Sequence, residues 1–342
     1  MKKILLGTTA LVAASLIAGQ AMAAEKPSVK VGGFTQWNFF SSTNSNASGE
    51  HSLTADDSEV TIKASGKADN GLGYGAKIEL EGDVNANGNS DETVMWVSGS
   101  WGKIEIGSED GAADRLAVTT PSGWGDGGAN GDYDDVSGES FKGLDWDGSE
   151  TGDANKITYF GSAGAVSFGA SFVPDSKDEG ADSQDGGGYN SSIELGAKYS
   201  GESGGMKFTV GAAGAFGSSD DTTKEDLSAY QIGASVSSGG WTVGGHYVDN
   251  GDSGKALASG IEEDLWAVGA QYKTGPWTVG AHYVNAEGGA AAADDNTVIS
   301  AGFTYAVAPG LSVGGEVTAW DETVGGTSAD GEVFTLLTAV KF

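Results

Sequence analysis

The chain contains no cysteine, only five prolines, three histidines and a single arginine among its 342 residues. Without cysteine there is no disulfide framework, no thiolate metal centre and no thiol nucleophile. With only His51, His246 and His282, the side chain most often used for acid–base catalysis is nearly missing. The hydrophobic fraction is 38%, below the ~45–50% of ordinary soluble domains. Apolar residues are too few and too evenly scattered to fill a globule of this size. Beyond the first two dozen residues, no apolar run reaches the ~18–20 residues of a membrane-spanning helix. Basic residues are scarce too, and 18 Lys and Arg against 48 Asp and Glu leave a net charge of −30. Phosphate binding needs basic patches, so a nucleic-acid partner is excluded. An anionic membrane surface would repel the chain, whereas mobile cations would be attracted.

What is present begins with an export pattern. Met1-Lys2-Lys3 is a basic start, Ile4 to Gly19 an apolar run softened by small residues, and Ala21-Met22-Ala23 a small-x-small cleavage site. This is the layout of a secretory signal peptide over residues 1–23, cut before Ala24. Residues 24–342 are then the mature domain.

That domain alternates. Ile193, Leu195, Ala197 and Tyr199 are interleaved with Glu194, Gly196 and Lys198, and Tyr74, Ala76, Ile78 and Leu80 with Gly75, Lys77 and Glu79. Successive strand side chains point to opposite faces, so each segment has one apolar and one polar face. Sixteen such segments are legible between Val29 and Phe342. Their connections alternate in length. Short ones such as Ser238-Gly239-Gly240 and Thr274-Gly275-Pro276 are Gly- and Pro-rich, as tight hairpins require. Long ones such as 41–57, 174–189 and 250–261 are acidic and rich in Gly, Ser and Asn. Sorting of loops by parity is the mark of a barrel with short periplasmic turns and long outer loops.

Two hairpins repeat. Trp241-Thr242-Val243-Gly244-Gly245-His246-Tyr247-Val248 recurs as Trp277-Thr278-Val279-Gly280-Ala281-His282-Tyr283-Val284. Trp and Tyr stand six positions apart, on one face and ~20 Å along the strand, as two aromatic girdles at the lipid boundaries require. Trp101, Tyr199, Phe208, Tyr272 and Tyr305 extend the bands. In hydrocarbon every backbone polar group must be paired, so such a sheet must close. Closure at sixteen strands leaves an aqueous lumen. The inward faces, read as Gly, Ser, Thr, Glu and Lys, would accept water. The fold class expected is therefore all-β, a transmembrane antiparallel barrel of sixteen strands.

The start Val29-Lys30-Val31-Gly32-Gly33-Phe34, the segment Gly102-Lys103-Ile104-Glu105-Ile106-Gly107-Ser108 before a long third loop, and the terminal Phe342 resemble the Gram-negative general diffusion porins, most nearly the alphaproteobacterial type. The resemblance implies an outer-membrane channel for small hydrophilic solutes and ions, and a homotrimer in contact with outer-membrane lipid and lipopolysaccharide. It implies a third loop folded into each pore, and a terminal aromatic read by the barrel-assembly machinery.

The third loop, 109–153, carries Asp110, Asp114, Asp126, Asp132, Asp134, Asp135 and Glu139. These form the expected acidic side of a constriction. The family's basic wall residues fall on Lys63 and Lys77, with Lys30 and Lys67 as secondary candidates. The family's arginine cluster is missing here. The one arginine, Arg115, lies in the loop itself and is counted with the basic side. Acidic rings favour cations, so cation selectivity is expected. No cofactor is required. Calcium, which takes carboxylate ligands, is considered at Asp132, Asp134 and Asp135, and again at Asp178, Asp182 and Asp185, although neither set fits a known calcium loop.

Two other readings stand beside the channel. A soluble secreted β-protein binding calcium or glycan would purify without detergent. An outer-membrane hydrolase would rest on the histidines, but His246 and His282 read better as duplicated lumenal residues, and no nucleophile elbow is present.

Overall fold

The computed structural model describes residues 25–43, 51–82, 90–125, 151–152, 154–177, 188–288 and 294–342. The segment read as a signal peptide lies outside them. Sixteen antiparallel strands form one closed barrel in which each pairs with its chain neighbours and the last returns to the first. In chain order they are β1 (Glu25–Ser42), β2 (His51–Lys67), β3 (Gly73–Glu81), β4 (Thr93–Gly99), β5 (Gly102–Ser108), β6 (Asn155–Ala163), β7 (Val166–Asp175) and β8 (Tyr189–Ser203). They continue as β9 (Met206–Ser219), β10 (Leu227–Ser238), β11 (Trp241–Gly251), β12 (Glu263–Thr274), β13 (Trp277–Glu287), β14 (Asp295–Ala308), β15 (Leu311–Val324) and β16 (Thr327–Lys341). One short helix, α1 (Ala112–Leu116), follows β5.

The alternation seen in sequence sets the two faces. On β8, Ile193 and Leu195 are exposed toward lipid, while Ser192 and Glu194 are buried inside. The seam is a regular ladder from Phe34 opposite Lys341 to Ser42 opposite Val333. It ends with Phe342, whose N–H donates to Gly33 O at 2.9 Å while Gly33 N–H donates back at 3.0 Å. Aromatic pairs mark both rims of the outer surface. Trp241 with Tyr272 (4.8 Å), Trp277 with Tyr305 (4.6 Å), Trp101 with Tyr159 and Tyr199 with Phe208 gather near the short turns. Trp266 with Tyr283 (4.9 Å) and Tyr230 with Tyr247 lie toward the long loops.

Two expectations are corrected. Strands run further into the long-loop side than the sequence pattern suggested. β2 starts at His51, so the first long loop is shorter than 41–57. β15 and β16 continue through Asp321 opposite Asp330 to a two-residue turn at Gly325-Gly326. Both glycines there have positive φ (+56° and +79°), the backbone of a tight hairpin. Acidic residues are poor strand formers in sequence statistics, but above the hydrocarbon their charge costs nothing and the ladder continues. The second correction concerns the lumen. On β10–β16 the inner wall toward the long loops is largely apolar, Glu263 and Glu322 apart: Leu227, Val248, Leu265, Val284, Val298, Trp320 and Val333 form one buried cluster with neighbouring alanines. There both faces of each strand carry apolar residues, so alternation alone could not assign the inward one.

Candidate functional site

The segment from Glu109 to Gly125 leaves the top of β5, turns through α1 and runs along the inside of the barrel. Its course follows glycines on the inward phase of successive strands. A Cβ at Gly196 of β8 would strike the Ala112 carbonyl and the Leu116 side chain, and one at Gly211 of β9 would lie 2.7 Å from Val118 Cγ2. At Gly233 of β10 it would overlap the Val118 carbonyl, at Gly269 of β12 it would sit 2.6 Å from Thr120, and at Gly280 of β13 it would enter the Trp124 ring. Interiors are close-packed, and these side-chain-free positions give the loop backbone its channel.

Polar wall residues hold the loop there by its amides. Ala112 N–H donates to Ser171 Oγ (2.7 Å), Ala113 N–H to Glu194 Oε2 (3.4 Å), and Val118 N–H to Gln231 Oε1 (3.3 Å). Thr120 N–H donates to His246 Nδ1 (3.0 Å), and Gly125 N–H to Thr304 Oγ1 (2.9 Å). Burial without such acceptors would cost each amide about 1–3 kcal/mol. Because Nδ1 accepts, the neutral His246 ring carries its proton on Nε2. His282 packs instead against Trp124, ring centroids 5.2 Å apart. His246 and His282 are therefore loop contacts. Lys156 of β6 ties the two roots of the loop, donating to Glu109 O (2.8 Å) and to Gly152 O.

Residues 112–125 lie along β7–β14, and among the described residues they leave the inner wall of β1–β4 uncovered. Lys30, Lys63 and Lys77 stand in one register row there. Lys77 is ringed by Glu79 (3.0 Å), Glu92 and Glu109 (2.8 Å). Glu92, just before β4, is pushed up to about 9 first by burial and then by a hydrogen bond shared with Glu79, so it keeps its proton at neutral pH. Glu59, Glu79 and Asp91 bring carboxylate oxygens within 4.8 Å of one another. Lys63 and Lys103 lie over the Trp96 ring, at 5.2 and 5.4 Å from its centroid.

The sequence-predicted residues are thus partly brought together. Lys63 and Lys77 face the lumen, and Lys77 meets the loop at Glu109. Asp110 sits at the root of the loop, its carboxyl raised above the usual range mainly by burial, and Asp114 lies on α1. Arg115 points from the loop to the wall, pairing with Glu105 and stacking 4.4 Å from the Phe160 ring centroid. Here the loop supplies the base and the wall the acid. Asp126, Asp132, Asp134, Asp135 and Glu139, with the calcium candidates among them and Asp178, Asp182 and Asp185, lie outside the described residues. Sequence reading missed the anchors Glu105, Ser171, Glu194, Gln231 and Thr304. The signal available was an inward glycine two positions from an inward polar residue, as in Glu194/Gly196, Gln231/Gly233, Gly244/His246 and Gly280/His282.

A closed sixteen-strand antiparallel barrel, banded with aromatics outside and carrying a loop along its inner wall, is an outer-membrane channel. The sequence matches the Gram-negative porin family over residues 7–323, and the chain belongs to that family. No curated protein matches it. Among solved structures it is similar to a porin refined at 1.8 Å (20% identity, TM-score 0.61, 92% of this chain and 100% of that one). It is similar too to a mutant of the Rhodopseudomonas blastica porin (19%, 0.63, 92% and 100%). A third likeness is to OmpT of Vibrio cholerae in its trimer form (14%, 0.67, 93% and 100%). The protein is a passive channel of the outer membrane.

Proposed function

We propose that this porin is cation-selective and that solutes pass the loop along the β1–β5 arc. One observation carries the reading: the ammonium of Lys77, which faces that path, is outnumbered by the carboxyls of Glu79, Glu92 and Glu109 around it. Even with Glu92 protonated, the cluster is net negative, and rings of acidic groups favour cations. Asp126, Asp132, Asp134, Asp135 and Glu139 follow the docked segment in sequence and add negative charge to the same loop.

The test is a reversal potential in a planar bilayer under a KCl gradient. A cation-selective potential that weakens in Glu79→Gln/Glu109→Gln supports the proposal. An anion-selective potential overturns it while leaving the channel intact. On the same reading the barrel assembles as a homotrimer, like the trimer form of the Vibrio cholerae protein, which cross-linking would count. The aromatic bands would seat it among lipid and lipopolysaccharide, and Phe342, exposed at the seam, would be the residue read by the assembly machinery. Export would follow removal of residues 1–23, seen as an intact mass beginning at Ala24. Calcium at Asp132, Asp134 and Asp135 would show as a chelator-sensitive conductance.

A further inference from the structure

Charge is segregated along the barrel axis as well as across it. Close to the short turns, Lys67, Lys198, Lys207, Lys273 and Lys341 take the inward phase of β2, β8, β9, β12 and β16. That phase is fixed higher on the last four strands by buried Glu194, Ala213, Leu265 and Val333. Lys30 and Lys63 face each other in register just above Lys67. Lys207 and Lys273 line one hollow with Gln271 and Thr242. Few inward acids share this band: Glu202, opposite Lys207, and, at its upper edge, Glu105 and Glu316. Glu105 is already bound by Lys103 and Arg115. Inward acids Glu59, Glu79, Glu194, Glu263 and Glu322 stand higher, and the long loops carry most of the rest of the −30 charge.

We propose that the channel is an ionic rectifier, with an acidic outer half and a lysine-lined periplasmic half meeting at the docked loop. The outer half rests on the selectivity reading above; the lysine band is independent of it. With the outer side positive, cations enter through the acidic half and anions through the lysine half. Each is held up at the junction, so carriers accumulate there and conductance is high. With the outer side negative, both are drawn away and the junction is depleted. The effect requires fields that reach across the vestibule, so it belongs to low salt.

Single channels in ~50 mM KCl, where the Debye length exceeds ~10 Å, should pass about twofold more current with the outer side positive than negative, and equal currents in 1 M KCl, where it shrinks to ~3 Å. Orientation is read from Ser238→Cys at a periplasmic turn, since the chain has no other thiol, by the change an impermeant thiol reagent causes from one chamber. Lys207→Gln/Lys273→Gln/Lys341→Gln, all exposed positions, should equalise the two polarities and make the reversal potential more cation-selective. Equal currents in low salt, or an asymmetry that survives the triple variant, would overturn the rectifier. Symmetric currents with a cation-selective potential defeat this inference alone. An anion-selective potential removes the acidic outer half and defeats both readings.

Discussion

Along β7–β14 the inner wall carries glycine where the loop comes close and an acceptor side chain beside it. Along β1–β3 the inward positions carry instead Lys30, Glu59, Lys63, Lys77 and Glu79. Both arcs have the same strand geometry and the same lipid-facing exterior. The difference lies in what each side chain meets: a backbone that must be held, or water and ions that must pass. On the proposed path one closed sheet serves as a mount on one side and would serve as a conducting surface on the other, the division being written only in the inward residues.

The largest effect should come from filling the glycine track. Gly233→Val/Gly280→Val would place side chains in the space of the Val118 carbonyl and the Trp124 ring and displace the loop. Single-channel conductance should rise severalfold while the barrel still migrates as folded on unheated gels. A matched change on the open arc, Thr61→Val, should leave conductance near wild type. Equal responses would erase the distinction between the arcs.

Removing one anchor should act less drastically. His246→Ala leaves the Thr120 amide without its acceptor, worth about 1–3 kcal/mol. Hydrogen exchange at Thr120 should quicken by about tenfold per 1.4 kcal/mol lost, with little change in barrel melting. Melting that falls in step with exchange would mean that His246 supports the sheet rather than the loop.

A smaller effect is expected from pH on the opposite arc. Glu92 is raised to about 9, so it is neutral below that pH and anionic above it. The cation preference should therefore increase as pH rises through about 9. Glu92→Gln should remove this step. A step that survives the substitution would assign it to another group. The smallest change should follow Arg115→Met. The pair with Glu105 is partly exposed, the guanidinium side being 29% accessible, and such pairs with an aromatic stack contribute about 1 kcal/mol or less. Melting should shift by a degree or two at most, and a larger loss would make Arg115 a principal holder of the loop.

Strand number, closure and the two aromatic bands were legible because each depends on period-two patterning and turn chemistry, which are local. The repeat of Trp241–Val248 at Trp277–Val284 already carried the glycine and the histidine that receive the loop, but their role depends on which backbone lies opposite, and that is a long-range fact. The same limit explains Arg115. Its place in the loop was plain, while its partner Glu105, ten residues back and on the wall, became visible only when the loop turned inward. The polar lumen was misjudged on the long-loop side because Val248 and Val284 directly follow outward Tyr247 and Tyr283 and Leu265 directly precedes outward Trp266, and a run of apolar residues has no readable inside.

The anchors in the track grip peptide groups: the amides of Ala112, Ala113, Val118, Thr120 and Gly125 are what Ser171, Glu194, Gln231, His246 and Thr304 recognise. A socket of this kind fixes the loop's backbone, while Leu116, Val118, Thr120 and Trp124 fill the space over the glycines. Residues on the loop's free side can then be exchanged without unseating it, so solute preference can be retuned by mutation or by design while the mounting stays constant.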